Sequence, residues 1–315
     1  MSHFHHSPDF LIVGAPRSGT TWLLRNLERH EEICFAHSSG KHSTGDIQFF
    51  NLDFEEGREN FSKGLDWYYA QFQHCGKDPI RGEKSAHYLS DSKAPELIHE
   101  HTEASKIIIC IRDPVERAYS HFLHDRHNLP HKDFHTQAKD TNNEHWNRIL
   151  QAGRYFHHYQ RYAKLFGEEN ILIILNDDIS SKPKAVLESV CDFLGVATNA
   201  EFSRSDQRIN ASTQDKTTAL IFEVSKNLKK KHPGIFMALK KSPAARIAEW
   251  YVGRKRGLGG GEMEAQVSEP KIDPDSQRWL QNYYRAEIRC ISRTLGRDLE
   301  NEWWGKHSAE LDQKA

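Results

Sequence analysis

The sequence predicts an α/β fold, because short apolar runs alternate along the chain with segments of helical periodicity. Apolar runs at residues 10–13, 106–111 and 170–175 suit strands that are buried on both faces of a sheet. Helical patterns occur at residues 93–104, 144–152, 155–166, 184–194 and 277–295. A chain of 315 residues can bury a substantial core, and we find no internal repeat and no clear boundary between two domains.

The first apolar run leads into a turn with the features of an anion-binding site. Residues 14–19 (GAPRSG) place two glycines where the backbone must bend, and a helical pattern begins at Thr20. Backbone N–H groups at the start of a helix converge on one point and can bind an anion there. We therefore expect this turn to hold a negatively charged ligand.

The spacing of this turn is that of a P-loop, G-x-x-x-x-G-K-[ST], with one departure. Thr20 stands where nucleotide triphosphatases have lysine, and the cation comes three residues earlier, as Arg17. Because that lysine normally reaches the β- and γ-phosphates, its absence argues against ordinary ATP or GTP hydrolysis. The hydroxyl groups of Thr20 and Thr21 add donors to the loop.

The segment GAPRSGTTWL resembles the 5′-phosphosulfate-binding loop of sulfotransferases that use 3′-phosphoadenylyl sulfate (PAPS). The resemblance implies a P-loop-like, three-layer α/β fold with a central, mainly parallel sheet flanked by helices. It also implies which residues hold the phosphosulfate end of the donor. These are Arg17, Ser18, Gly19, Thr20 and Thr21.

A second motif follows the Ile-rich run at 106–111. The segment IRDPVERAYS closely matches the family's 3′-phosphate-binding pattern, which implies that Arg112 and Ser120 anchor the 3′-phosphate. A guanidinium offers a phosphate two parallel donors, and a hydroxyl adds a third. The alternative for Arg112 is a salt bridge to Asp113 or Glu116.

Residues 80–88 (IRGEKSAHY) contain the candidate general base. The Glu-Lys-Ser core resembles the family segment that supplies the catalytic carboxylate, so we expect Glu83 to accept the proton of the attacking group. Arg17 is expected to stabilise the charge on the departing phosphate, with help from Lys84. His87 is the rival base, because an imidazole titrates closer to neutral pH.

The segment IQFFN at residues 47–51, with a later KGLDWY, resembles the sulfotransferase domains of heparan sulfate N-deacetylase/N-sulfotransferases and related glycan enzymes. Many members carry Lys-Glu just before the Phe-Phe pair, whereas this chain has Gly45-Asp46. A substrate-site lysine is therefore absent. The similarity favours a carbohydrate hydroxyl or amine as acceptor, while a lipid, a small alcohol or a peptide tyrosine stays open. Simple aromatic packing is the alternative role for this segment.

Neither cysteines nor histidines predict a metal site. The five cysteines are scattered and form no CxxC pair, so we expect neither a disulfide nor structural zinc. Three lie in apolar runs that suit buried, reduced thiols: Cys34, Cys110 and Cys191. A His-rich stretch that begins on the helix after Pro114 favours a solvated face and loop over a metal cluster: His121, His124, His127, His131 and His135. Sulfuryl transfer itself does not demand a divalent metal.

The sequence as a whole predicts one sulfotransferase domain over residues 1–305, with a basic helical insertion at about 226–261 and a polar tail at 306–315. Residues 226–256 hold ten Lys or Arg against the single acid Glu249. They suit a solvated helix pair, or a patch for an anionic acceptor, a membrane surface or incoming PAPS. The net charge of −1 gives no pull towards nucleic acid. No signal-like or membrane-spanning run is present, so a cytoplasmic location is expected.

We therefore expect an enzyme that moves the sulfuryl group of PAPS to a hydroxyl or amine by in-line displacement, without a metal. Two alternatives stay open at this point. One is a P-loop kinase or NTPase in which IIICIRD serves as the Walker B strand. The other is a non-catalytic module that binds a nucleotide or a glycan.

Overall fold

The computed structural model describes residues 7–37, 45–76, 79–198 and 272–305. Five strands in this part of the chain form one parallel sheet in the order β2-β3-β1-β4-β5. The strands are β1 (Phe10–Gly14), β2 (Ile33–Phe35), β3 (Ile80–Lys84), β4 (Lys106–Ile111) and β5 (Ile171–Leu175). The predicted α/β architecture with a parallel sheet flanked by helices is confirmed.

Helices connect the strands and cover the sheet. The helices of the first half are α1 (Thr20–Leu27), α2 (Glu55–Phe61), α3 (Leu65–Ala70), α4 (Ala94–His101), α5 (Pro114–Asp125) and α6 (Phe134–Ala138). Those of the second half are α7 (Glu144–Gln151), α8 (Tyr155–Phe166), α9 (Asn176–Ser181), α10 (Pro183–Leu194) and α11 (Pro274–Leu295). Each strand therefore reaches its parallel neighbour through a crossover, as parallel pairing requires.

The sheet is buried where the sequence is apolar and polar where its strands end. Every residue of β1 is buried, as is β4 from Ile107 onwards. The strand β3 was not predicted, because Arg81, Glu83 and Lys84 interrupt its apolar pattern. Two of these charged residues, Glu83 and Lys84, form the carboxyl end of the strand, where parallel α/β sheets place ligands.

The helix that begins at Pro114 is shorter than predicted. It ends at Asp125, and a separate helix, α6, starts at Phe134. The side chain of Asp133 accepts a hydrogen bond from the backbone N–H of Thr136 and caps this second helix. His127 and His131 therefore lie in a loop between the two helices, as the predicted face and loop allow, whereas His135 lies on α6.

Cys34 and Cys75 form a disulfide, so the prediction that the cysteines are all reduced is wrong for this pair. Their Cα atoms are 5.7 Å apart, within the usual range for a bridge. Sequence spacing carried no signal, because the partners are 41 residues apart and meet only when the turn after α3 lies beside β2. Cys110 and Cys191 are free and buried, as expected.

The end of the described chain returns to the sheet. Tyr284 of α11 donates a hydrogen bond to the carbonyl of Leu150, at 2.9 Å. Trp303 and Trp304 donate their indole N–H groups to Asp177 and Asp113, at 2.7 and 3.3 Å. The segment therefore reaches two strand ends. The predicted domain limits, the basic insertion and the tail involve residues outside the described ranges and stay predictions. Among the helices of those ranges, none has the length and apolar character of a membrane span.

The packing of aromatic rings against Gly82 in β3 can be tested by substitution. The rings of Phe10 and Phe35 meet edge to face beside it, with centroids 5.5 Å apart, and a Cβ on Gly82 would lie 2.8 Å from Cε1 of Phe35. We expect Gly82→Ala to lower the free energy of unfolding by about 1–3 kcal/mol, because the rings must shift. Chemical denaturation measures this change.

Gly76→Ala is the matched control, because among the described residues a Cβ there would meet Pro79 alone, at 3.8 Å. An equal loss of stability in the two variants would contradict the assigned cause.

Candidate active site

The candidate site lies at the carboxyl edge of the sheet, where three central strands end together. The pairing of β1 with β3 places Ile12 beside Lys84, and the pairing of β1 with β4 places Gly14 beside Ile109. The turn after β1, the Glu-Lys-Ser segment and the start of α5 are therefore neighbours. This edge is where ligands bind in open parallel sheets.

The turn between β1 and α1 is shaped by residues with positive φ. Arg17 has φ 67° and Gly19 has φ 97°, and non-glycine residues in this region cluster at functional sites. A Cβ on Gly19 would lie 2.7 Å from Cδ1 of Ile179, so only glycine fits between the turn and α9. Gly19 is also the N-cap of α1, which has no side-chain cap. The helix start is thus open to an anion.

Ser18 supplies a further polar group to this turn. Its side chain is buried beside the hydroxyl of Tyr155, yet its Oγ makes no hydrogen bond of ordinary geometry to any described residue. An unsatisfied buried hydroxyl is costly unless a ligand completes its bonding. The turn therefore fits the phosphosulfate group that the sequence predicts for it.

The two predicted phosphate-binding motifs are in direct contact. Arg17 Nε donates to Ser120 Oγ at 3.1 Å. The pKa of Arg17 is lowered, first by burial and then by the positive charge of Arg112, although Asp125 opposes this. The two guanidinium groups therefore lie close enough to repel each other. A ligand with two negative charges, bound between them, would relieve this repulsion.

Arg112 is held in place from two directions. Its guanidinium pairs with Glu116, with distances of 2.7 Å from Nη2 and 3.1 Å from Nε to Oε2, and its carbonyl accepts a hydrogen bond from the Tyr155 hydroxyl at 2.8 Å. The salt bridge to Glu116 is one of the two that the sequence analysis left open. It is solvent-exposed and therefore weak, so a phosphate can compete for the guanidinium.

Glu83 is fully buried at the end of β3. Its carboxylate accepts hydrogen bonds from the Tyr68 hydroxyl at 2.5 Å and the Ser85 hydroxyl at 3.0 Å. Burial raises the pKa of Glu83 to about 7, against the opposing effect of its hydrogen bonds to Tyr68, Tyr88 and Ser85. A carboxyl group that titrates near neutral pH is suited to general base catalysis.

Lys84 is buried next to Glu83 and carries its own counter-charge. Its Nζ lies 2.7 Å from Oδ2 of Asp46, while Oδ1 of Asp46 accepts the backbone N–H of Ala86 at 2.8 Å. Asp46 is the second residue of the Gly45-Asp46 pair, which stands where many of the resembled enzymes have Lys-Glu. The charge of Lys84 is therefore matched within the protein, next to the predicted base.

The IQFFN segment is tied to the base by backbone donors. Ser85 Oγ accepts the N–H groups of Ile47 and Gln48 at 3.1 and 2.9 Å. Phe49, in turn, stacks on Tyr68 with ring centroids 4.7 Å apart. Aromatic packing and support of the predicted site thus occur in one segment, because the ring that packs on Phe49 also donates to Glu83.

The rival base, His87, follows Glu83 by four residues. His87 is partly exposed, and its ring centroid is 4.9 Å from that of Phe54 and 6.0 Å from that of His121. Burial lowers the pKa of His87. Asp46 raises this pKa and Lys84 lowers it, and both effects are smaller than that of burial. The imidazole is thus kept neutral, as a base must be.

The His-rich stretch is only partly solvated, so this prediction needs correction. His121 is buried, whereas His124 is exposed. Asp125 lies 2.8 Å from His124 Nδ1 and 3.1 Å from His145 Nε2. Burial opposes ionisation of Asp125, but these imidazoles hold its pKa well below the usual range. The sequence analysis missed this carboxylate, which also acts on Arg17.

A family model described as "Sulfotransferase domain" matches residues 7–249, which is more than half of the chain. The chain belongs to the sulfotransferase domain family. Among curated proteins, the bifunctional heparan sulfate N-deacetylase/N-sulfotransferase 3 of Mus musculus is 28% identical over 310 residues, which cover 93% of this chain and 30% of that protein. Its Homo sapiens counterpart is 27% identical, with coverage of 93% and 30%. The chain thus spans about a third of the length of these curated relatives.

A solved sulfotransferase from Alicyclobacillus acidocaldarius is similar in both sequence and fold. It is 26% identical, with a TM-score of 0.54, and the match covers 71% of this chain and 94% of that one. The P-loop-like architecture inferred from residues 14–21 is therefore confirmed as that of the sulfotransferases.

The structure places the predicted site residues of this sulfotransferase domain along one edge of the sheet. In the turn and at the start of α1 lie Arg17, Ser18, Gly19, Thr20 and Thr21; at β4 and α5 lie Arg112 and Ser120; at β3 lie Glu83 and Lys84. Four neighbours of these residues were missed as site residues: Asp46, Tyr68, Ser85 and Tyr155. A serine two residues after Glu83 and the tyrosines in LDWYY and GRY were signals in the sequence, but only the fold brings them together.

The buried carboxyl group has a measurable consequence for stability. The pKa of Glu83 is raised from 4.5 to about 7. The stability that the neutral carboxyl group contributes is therefore fully present below the unfolded-state pKa, and it is lost as the pH rises through the folded-state pKa. The side chain in Glu83→Gln stays neutral at both pH values. We therefore expect the stability of this variant, relative to that of the natural chain, to rise by up to about 3 kcal/mol from pH 5 to pH 8. Unfolding midpoints at the two pH values measure the gain.

The exposed Glu55→Gln variant serves as the control and should follow the natural chain at both pH values. A constant difference between Glu83→Gln and the natural chain across this range would show that Glu83 is already ionised at pH 5.

Proposed function

We propose that this chain is a PAPS-dependent sulfotransferase that moves a sulfuryl group to a hydroxyl or amine of a carbohydrate. The observation that carries the proposal is the meeting of Arg17, Ser120 and Arg112 at the sheet edge that also holds Glu83. A donor with charged groups at its 5′ and 3′ positions requires two cationic contacts, whereas ATP has no 3′-phosphate for the second. A kinase that uses ATP would therefore have no 3′-phosphate for Arg112 to bind.

Each of the polar groups at this edge of the sheet has a role in the proposed reaction. PAPS, when bound, supplies a sulfuryl group on a phosphate that can depart. The N–H groups of the turn, Ser18 Oγ and the guanidinium of Arg17 bind the 5′ end and stabilise the negative charge that builds there. Arg112 and Ser120 bind the 3′-phosphate. Lys84 contributes positive charge beside the base, although its pairing with Asp46 reduces that contribution.

Glu83 is the proposed general base. Its pKa of about 7 leaves a large fraction of the carboxylate ionised at neutral pH, and Tyr68 and Ser85 fix its orientation. His87 stays the second candidate, because it is partly exposed whereas Glu83 is fully buried. The base that acts must reach the attacking hydroxyl or amine directly or through one water.

A carbohydrate acceptor is favoured by the relatives, whose names specify heparan sulfate. Those proteins are about three times as long as the segment that matches, so their full activity does not transfer as a unit. This chain has Gly45-Asp46 where many of the resembled enzymes have Lys-Glu, and Asp46 pairs with Lys84. We therefore propose an acceptor that is bound without that lysine. The anionic or membrane contact predicted for residues 226–256 lies outside the described residues.

The nucleotide specificity tests whether the two phosphate-binding motifs hold one ligand. We expect 3′-phosphoadenosine 5′-phosphate (PAP) to raise the melting temperature without Mg²⁺. Arg112→Ala should weaken PAP binding by about 10- to 100-fold, since a hydrogen-bonded charge pair is lost, and should leave binding of adenosine 5′-monophosphate unchanged. Calorimetric titration of both nucleotides measures this difference.

Arg148→Ala is the matched control, because Arg148, like Arg112, pairs with a glutamate four residues away in the sequence. Stabilisation by ATP with Mg²⁺ but not by PAP would support the kinase alternative instead. Equal losses for PAP and for adenosine 5′-monophosphate in Arg112→Ala would remove the 3′-phosphate assignment.

The identity of the base is tested by two substitutions. Glu83→Gln should reduce the rate of sulfuryl transfer by about 10²- to 10⁴-fold while PAP binding is retained. In the natural enzyme the rate should rise with pH through about 7, because only the ionised form of Glu83 accepts a proton. Transfer of ³⁵S-sulfate from PAPS to an amine-bearing or a hydroxyl-bearing polysaccharide measures the rate.

Retained transfer in Glu83→Gln together with its loss in His87→Ala would assign the base to His87. Tight PAP binding by the natural chain with no transfer to any acceptor would favour the binding-module alternative.

A further inference from the structure

Three metal-binding side chains meet at the exposed edge of the sheet, away from the residues assigned to catalysis, and a fourth, His37, adjoins one of them. Cys34 lies in the edge strand β2, and His37 follows it by three residues. His74 and Cys75 lie in the turn after α3. The ligand atoms of Cys34, His74 and Cys75 are all within 4.8 Å of one another.

The distances within this group centre on one imidazole. Nε2 of His74 lies 3.4 Å from Cys34 Sγ, 3.7 Å from Cys75 Sγ and 3.3 Å from Nδ1 of His37. With Zn–S bonds of about 2.3 Å and Zn–N bonds of about 2.0–2.1 Å, a tetrahedral zinc ion sets its sulfur and nitrogen ligands about 3.5 Å apart and two nitrogens about 3.3 Å apart. The three distances from His74 therefore match the spacing between ligands of one zinc ion, whereas the two sulfur atoms, which the disulfide joins, must separate before both can bind the ion.

The backbone holds the two halves of the group together independently of the sulfur atoms. The N–H of His37 donates to the carbonyl of Gln71 at 2.8 Å. The N–H of Cys75 donates to the carbonyl of Phe72 at 3.0 Å. In β2, Cys34 is in register with Arg81 of β3. Both histidines are exposed, so an ion can reach the group from solvent.

We propose that Cys34, His37, His74 and Cys75 bind Zn²⁺ when the cysteines are reduced, and that the disulfide is the metal-free, oxidised form of the same site. A phosphine reductant gives two electrons to the disulfide and takes an oxygen atom from water, and the two protons of that water pass to the sulfurs. Zn²⁺ then displaces both thiol protons. Peroxide reverses the change, because the two thiolates form the disulfide, release Zn²⁺ and leave two water molecules with the aid of two protons.

The ion would join the same two segments that the disulfide joins. The exit of β2 leads towards Asp46, and the turn after α3 leads into β3, which carries Glu83. Zinc therefore maintains the link between these segments in a reducing compartment, such as the cytoplasm expected from the sequence. The sequence analysis expected no zinc, because the ligand pairs are far apart along the chain and lack a CxxC spacing.

Cobalt provides a direct test with the full chain. After reduction with a phosphine and removal of the reductant, we expect added Co²⁺ to give a thiolate-to-cobalt charge-transfer band and the intense visible bands of a tetrahedral site. Zn²⁺ should abolish both bands at about one equivalent per chain and raise the melting temperature of the reduced chain. The oxidised chain keeps every histidine, including those near residue 1, and should show no charge-transfer band.

Variants separate this site from adventitious binding. Cys75→Ser should abolish the charge-transfer band, and His74→Ala should weaken Co²⁺ binding at least about 10-fold through loss of a ligand. Cys290→Ser and His157→Ala are the matched controls, because both residues lie outside the cluster, and they should behave as the natural chain does.

The comparison of the reduced and oxidised natural chains needs no variant to fold. Absence of the charge-transfer band in the reduced chain would overturn the proposal. So would unchanged Co²⁺ affinity in folded His37→Ala and His74→Ala variants, since binding would then require the sulfur atoms alone.

Discussion

The parallel pairing of β1 with both β3 and β4 is the constraint on which the candidate site depends. Because neighbouring strands end at the same edge, the turn after β1, the Glu-Lys-Ser segment and the start of α5 are neighbours there. A shift of one residue in either ladder would turn Glu83 or Arg112 to the opposite face of the sheet. The fully buried strands β1 and β4 fix this register through their apolar contacts.

Much of the fold and part of the site could be predicted from the sequence, for identifiable reasons. Apolar runs marked β1, β4 and β5, and the Gly-bearing turn and the Arg-Asp-Pro segment marked the two cationic contacts. The strand β3 was missed because its charged residues serve the site rather than the core. Tyr68 and Ser85 were missed as partners of Glu83 because hydrogen bonds between separate segments leave no local pattern. For the same reason the bridge between Cys34 and Cys75 was predicted not to exist.

The environment of Glu83 shows a compromise between stability and reactivity. Desolvation raises its pKa, whereas Tyr68 and Ser85 stabilise the ionised form. The adjacent Lys84 is matched by Asp46, so the local charge is nearly balanced without Glu83. A group in such surroundings changes its protonation state at little cost near neutral pH, which an apolar side chain or a fully paired carboxylate could not do.

The contacts of Trp303 and Trp304 have a consequence for the order in which the molecule is completed. Both indoles bond to carboxylates that precede them by more than a hundred residues, at the beginnings of α9 and α5. On the ribosome, the sheet can therefore assemble while these two helix starts still lack their last donors. Until the tryptophans have been synthesised, Asp113 and Asp177 lack the indole N–H donors that bond to them in the folded chain.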